Sequence, residues 1–232
     1  MMTDTRAFVR LAGVALGLAT LSGGASAADY MAASSTPFNW TGMYFGVQGG
    51  GGVGNADWTY TAGGATANHT TAGGLLGGTV GFNQQNGALV WGEEGDLAWA
   101  NIGGSTPCPN PLYSCETTIN WLGTVRARAG WAAGNFLLFG TGGLAFGGVN
   151  AQTVLPGGTP PPSGTPTNGT RTMDFGWTAG LGAEVGLGAG WSAKGEWLYY
   201  SLGASNHSVD FSQTVSVAER GNLFRLGVNR HF

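Results

Sequence analysis

The stretch NWLGTVRARAGWAAGNFLLFGTGGLAFGGV, Asn120 to Val149, decides the fold. It reads as two apolar strands joined by a tight AAGN turn, and its first strand carries Arg126 and Arg128 among Trp121, Val125, Ala127, Ala129 and Trp131. Alternate residues of a strand point to opposite faces. One face is therefore Trp121, Gly123, Val125, Ala127, Ala129 and Trp131, apolar with an aromatic at each end. The other is Leu122, Thr124, Arg126, Arg128 and Gly130. A soluble sheet would turn the charged face to water and the apolar face to a core. A membrane barrel inverts this, with lipid on the apolar face, aromatics at the rims and polar residues in the lumen.

The rest of the chain decides between the two. Of 232 residues, 45 are glycine and only 9% are charged, yet 9 Trp, 11 Phe and 6 Tyr are far too many aromatics for a flexible polar chain. A net charge of −3 gives no basic footprint, which argues against nucleic acid as a partner. At the start, Arg6 and Arg10 precede the apolar run Leu11 to Leu21, and Ala25-Ser26-Ala27 has the small residues of a cleavage site, so residues 1–27 read as a cleaved export signal. No later run of 18 apolar residues offers a spanning helix. Residues 28–40 read as a polar, mobile periplasmic leader, and 41–232 as the barrel domain. Export also makes the cysteines readable: Cys108 and Cys115 flank PNPLYS and are expected to form a disulfide across a small loop. They lack the further ligands a metal site needs.

Alternation recurs over Gly42 to Gly54, Ala72 to Asn83, Ala88 to Ile102, Thr118 to Ala132, Phe136 to Thr153, Thr172 to Leu187, Trp191 to Leu202 and Asn222 to Phe232. Only Phe136 to Thr153 is ambiguous, because Leu137 and Phe139 compete with Leu138 for the outer face. The connections alternate in length: Asn55 to Thr71, Gly103 to Thr117, Val154 to Arg171 and Gly203 to Gly221 are long, whereas Gln84 to Gly87, Ala133 to Asn135 and Gly188 to Gly190 are tight. Short turns at one end and long loops at the other are the layout of an outer-membrane barrel, and a sandwich does not require them. The fold class is therefore all-β: an eight-stranded, antiparallel, up-and-down transmembrane barrel in the bacterial outer membrane, with surface loops and periplasmic termini.

Several motifs carry a resemblance: WTGMYFGVQGG (Trp40 to Gly50), VWGEEGDLAW (Val90 to Trp99), WLGTVRARAGW (Trp121 to Trp131), FLLFGTGGLAFG (Phe136 to Gly147), GWTAGLGAEV and WSAKGEWLYYSLG (Gly176 to Gly203), and LFRLGVNRHF at the end. Together they resemble the small outer-membrane immunogenic protein family of proteobacteria, which is related to the transmembrane domain of OmpA. The resemblance implies an eight-stranded barrel and, in some members, porin-like permeability, haem binding or host contact. One position departs from it. The family usually has an apolar residue before the Glu-Gly-Asp, and this chain has Glu93. Simple alternation would turn Glu93 to lipid at a cost of up to a few kcal/mol, depending on depth. A bulge near Glu93 and Glu94, or a position near the headgroups, would relieve that cost.

Alternation sends Glu94, Asp96, Arg126, Arg128, Glu184, Lys194, Glu196 and Arg225 into the lumen, four acids and four bases. An eight-stranded barrel is only wide enough for its own side chains, so these charges must pair or remain expensively buried. Two readings follow, a salt-bridged plug or a charge-lined passage for small solutes. Catalysis has less support: His69 and His207 fall in predicted loops and His231 at the terminus, which leaves open only a rim site of His69 or His207 with Asp57 or Asp210. No cofactor is expected. Two aromatic belts complete the pattern, Trp40, Trp131, Trp191 and Phe232 near the short turns and Trp58, Trp99 and Tyr199 toward the loops. Phe232 also resembles the C-terminal aromatic read by the outer-membrane assembly machinery. The expected role is structural, in envelope integrity and surface display, with a narrow porin-like channel or ligand and host-surface binding through loops as alternatives. The expected partners are outer-membrane lipid and that machinery; self-association is left open.

Overall fold

The computed structural model describes residues 37–155, 169–209 and 213–232, so the expected signal segment lies outside the described residues. The fold consists of β1 (Gly42–Tyr60), β2 (His69–Asn86), β3 (Leu89–Pro107), β4 (Ser114–Ala133), β5 (Phe136–Val154), β6 (Gly169–Gly188), β7 (Trp191–Val209) and β8 (Gln213–His231). Each pairs antiparallel with the next, and β1 pairs with β8 from Tyr44↔His231 to Tyr60↔Val215, closing the barrel.

These strands form where alternation is cleanest, and the tight turns form where the chain can reverse. At the β4–β5 turn Gly134 has φ +61°, a left-handed conformation that glycine adopts at no steric cost. The strands run 18–20 residues, whereas a tilted strand needs only about 9–11 to cross a bilayer. Half of each strand therefore continues past the apolar band, and most of the predicted loops are strand. His69 and His207 consequently sit on β2 and β7 rather than in loops, and His231 ends β8.

Lipid-side alternation holds throughout. Met43, Phe45, Leu76, Leu97, Val125, Leu138, Leu144, Leu181 and Leu226 all face outward, with Trp131, Trp191 and Phe232 at the short-turn rim and Trp99 and Trp177 toward the loops. β5 resolves in favour of Leu138 outside, with Leu137 and Phe139 inside. Near the loop-side rim the register slips between Trp99 and Ile102 on β3 and between Ile119 and Trp121 on β4. That slip sits far from Glu93, whose pairing with Phe82 and Ala127 is regular; Glu93 faces outward.

Two tryptophans assigned to the lipid belts are inside instead. Trp40 is 0% exposed and packs with Val90, Ala132, Leu137, Phe139 and Phe38 across the short-turn mouth. The Phe38 amide donates to Asn135 Oδ1 and the Trp40 amide to Gln85 Oε1, so residues 37–40 form a floor under the barrel rather than a mobile leader. Trp58 is likewise 0% exposed, and its indole N–H donates to Thr117 Oγ1 at 2.8 Å. Both are corrections with one cause: a buried tryptophan and an interfacial one satisfy the same apolar-plus-donor chemistry, and only the surrounding residues distinguish them.

Candidate functional site: a charged layer sealed inside the barrel

The interior is layered. Above the aromatic floor lies the charged set, then an apolar layer containing Leu75, Ile102, Ile119, Leu122, Leu198, Leu202 and Leu223, then a loop-end cluster of Ala56, Trp58, Val209, Val215, Val217 and the bonded pair Cys108–Cys115. The disulfide closes the β3–β4 hairpin tip.

All eight charged residues face the lumen, each 7% exposed or less. Arg126 is the hub. Its Nη1 donates to Glu196 Oε2 at 2.9 Å, its Nη2 to Glu94 and to Asp96 Oδ2 at 3.0 Å, and its Nε to Thr124 Oγ1 at 2.9 Å. Arg225 reaches Asp96 Oδ1 at 2.9 Å and Glu196 Oε1 at 2.7 Å. Lys194 donates to both oxygens of Glu94, at 2.8 and 2.7 Å. Arg128 joins Glu184 at 2.9 Å, and Glu184 also accepts from Asn229 and Ser192. Carboxylates from β3, β6 and β7 are thus threaded by bases from β4, β7 and β8. The planar guanidinium suits this use, because its several donors can serve different strands at once.

Side chains outside the predicted set complete the layer. The Tyr44 hydroxyl donates to Glu94 Oε2 at 2.6 Å and accepts from Arg128 at 2.9 Å. The Arg128 guanidinium lies 4.0 Å from the Phe139 ring centre and 5.7 Å from that of Tyr44. Two glycines make room for these rings: a Cβ on Gly81 would come within 2.3 Å of Tyr44, and one on Gly182 within 2.3 Å of Phe139. Tyr44, Thr124, Ser192 and Asn229 share the inward parity of their strands, which is the signal that could have found them.

Among the described residues the predicted rim site does not assemble. Asp57 pairs with Arg220 on the outer wall, and Asp210 lies outside the described residues. The His69 ring faces the Ala67 carbonyl through Nδ1. His207 lies against Thr172 and Asp174, with Nε2 3.1 Å from Thr172 Oγ1 and 3.8 Å from Asp174 Oδ2.

At the same end, beyond the lipid band, Glu219 is buried and takes a 3.4 Å hydrogen bond from Thr71. Burial, with Asp57 and Asp174 nearby, pushes its carboxyl up from 4.5 to about 8. A carboxyl raised in the folded state favours folding fully below 4.5, and that contribution disappears as pH rises to about 8. Wild-type barrel should therefore lose urea resistance across this window. Glu219→Gln should flatten the slope and exceed wild type at pH 9; parallel pH profiles for the two would refute the assignment.

Residues 15–232 match the model of the outer membrane protein beta-barrel domain family. The chain belongs to this family. It is 34% identical over 218 residues to the 31 kDa outer-membrane immunogenic protein of Brucella melitensis, covering 87% of each chain. It is 29% identical over 196 residues to the 22 kDa outer membrane protein of Rhizobium leguminosarum bv. viciae, covering 84% of this chain and 79% of that one. Among solved structures, it matches OprG of Pseudomonas aeruginosa with a TM-score of 0.50 at 13% identity, over 84% of this chain and 98% of that one, a likeness of fold alone. As an outer-membrane barrel of this family, the protein has its short turns on the periplasmic side and its longer connections outside the cell.

Proposed function

We propose that this protein is a closed structural barrel: it anchors in the outer membrane, contributes to envelope integrity and displays its outer hairpins at the cell surface. The observation that carries this reading is the charged layer of Glu94, Asp96, Arg126, Arg128, Glu184, Lys194, Glu196 and Arg225, whose side chains bond to one another across the whole lumen. The aromatic floor below it and the apolar layer above it add to the obstruction. A conducting bore needs a continuous water path, and an eight-stranded barrel has little interior beyond its own side chains. The word immunogenic in the name of the Brucella relative fits a chain exposed at the surface.

Conductance across a planar bilayer tests the proposal, with refolded protein whose fold is checked by heat-dependent gel mobility. The expected record is flat. Discrete steps of constant size, absent from the heat-denatured sample, would replace this reading with the narrow-channel one.

A further inference from the structure

Glu93 stands apart from the other acidic side chains among the described residues, each of which has a hydrogen-bond or ion-pair partner. It faces lipid, and among the described residues it has no hydrogen bond or ion pair. It lies four residues up β3 from Leu89, the partner of the girdle Trp131, and six below Trp99; at about 2.5 Å of height per tilted residue it is roughly 10 Å above Leu89, inside the apolar band. An ionisable side chain there points to a specific partner. Its β4 side carries a flat patch, with Gly95 on β3, Ala127 and Ala129 on β4, and Gly142 on β5 presenting almost no side chain to the membrane between the exposed Trp91, Leu97, Val125 and Leu144. Small residues of this kind let another surface approach closely.

The complementary group is on the same chain. Arg230 faces outward on β8, with its guanidinium 5.7 Å from the Trp191 ring centre and 5.5 Å from that of Phe232. One Nη1 donor reaches the Ala189 carbonyl, and no carboxylate meets it among the described residues. Depth matches too. The row of cross-strand neighbours through Glu93 passes Phe82 and Met43 and reaches Phe232, whose amide donates to the Met43 carbonyl, so it falls to the periplasmic girdle at β8. Arg230, two residues back up the strand, lies within about 5 Å of the depth of Glu93, less than an arginine's reach.

Glu93 and Arg230 cannot meet within one barrel, since three strand positions of eight separate them. We propose that Glu93 is the contact point for a second copy of this chain, with its carboxylate taking Arg230 of the neighbour and the Trp191–Phe232 aromatics of that neighbour resting on the flat β3–β5 patch. The contact is head-to-tail. A two-fold axis through Glu93 would instead oppose two carboxylates, so the geometry builds rings or rows in the membrane plane.

Cysteine cross-linking of the full chain in native outer membranes tests this, with the Cys108–Cys115 bond left intact. Cells co-expressing Glu93→Cys and Arg230→Cys chains should give a disulfide-linked dimer several-fold above that from either variant alone. Barrels carrying both cysteines should give a ladder. The charge variants Glu93→Arg and Arg230→Glu should each lower the oligomer recovered in mild detergent several-fold, and the double exchange should restore it, with heat-dependent gel mobility confirming that each variant folds. A purely monomeric pattern in folded variants, a Glu93→Cys homodimer as the main product, or a cross-link to a protein of another size would each overturn the proposal.

Discussion

Replacing Arg126 by alanine lowers the stability of the folded barrel by about 3–5 kcal/mol, the penalty for removing one partner of a buried ionic cluster. The side chain touches Glu94, Asp96, Glu196 and Thr124 through its three guanidinium nitrogens. Its loss leaves Glu94, Asp96 and Glu196 facing one another with only Lys194, Arg225 and, at 3.5 Å from Glu94, Arg128 to balance them. The apolar layer and the aromatic floor border the site above and below. The control is Arg220→Ala. Arg220 also pairs with a carboxylate, Asp57, but its side chain is 56% exposed. An exposed pair contributes about 0–1 kcal/mol. Urea titration in lipid vesicles, read by tryptophan fluorescence, should separate the two variants clearly; equal small losses would mean that the charged layer does not hold the barrel together.

Trp40→Ala is the second large effect. The indole is fully buried, 4.6 Å from the Phe38 ring centre and 5.7 Å from that of His231. Truncating a buried tryptophan costs about 3–5 kcal/mol through lost transfer energy and the cavity left behind. The same change at Trp131, which is 65% exposed on the lipid side, should cost much less. The pair isolates the floor from the girdle, two positions that one-dimensional reading treated alike. Because the charged layer lies above the floor, Trp40→Ala should loosen the periplasmic end without making the barrel conduct.

The parity of the strands was legible because a lipid-facing wall requires near-perfect alternation, and a misplaced charge there is costly. That is why the outward positions of seven strands, Trp58 apart, and all eight lumen charges could be assigned from spacing alone, while β5 stayed ambiguous. The pairings within the layer were not legible. Arg126 meets Glu196 from across the lumen and Arg128 meets Glu184 two strands away, and both encounters depend on how the strands are staggered, which no local pattern encodes. Strand length was also hidden. Above the bilayer neither face needs to be apolar, so alternation fades while backbone pairing continues. Thr71 and Glu219 were missed for that reason, and His207 was placed in a loop, since each sits on strand that read as loop.

The sequence by itself determined a closed eight-stranded barrel with charges in its lumen, because period-two patterning and alternating connection lengths are local properties that lipid enforces residue by residue. The tertiary structure decided what those charges and aromatics do. Closure of β1 on β8 and the stagger of the strands bring bases and acids distant in the chain into one layer and fold Trp40 beneath it. The same closure leaves the outward Glu93 carboxylate without a partner among the described residues, because each of these outcomes depends on which residues meet across space.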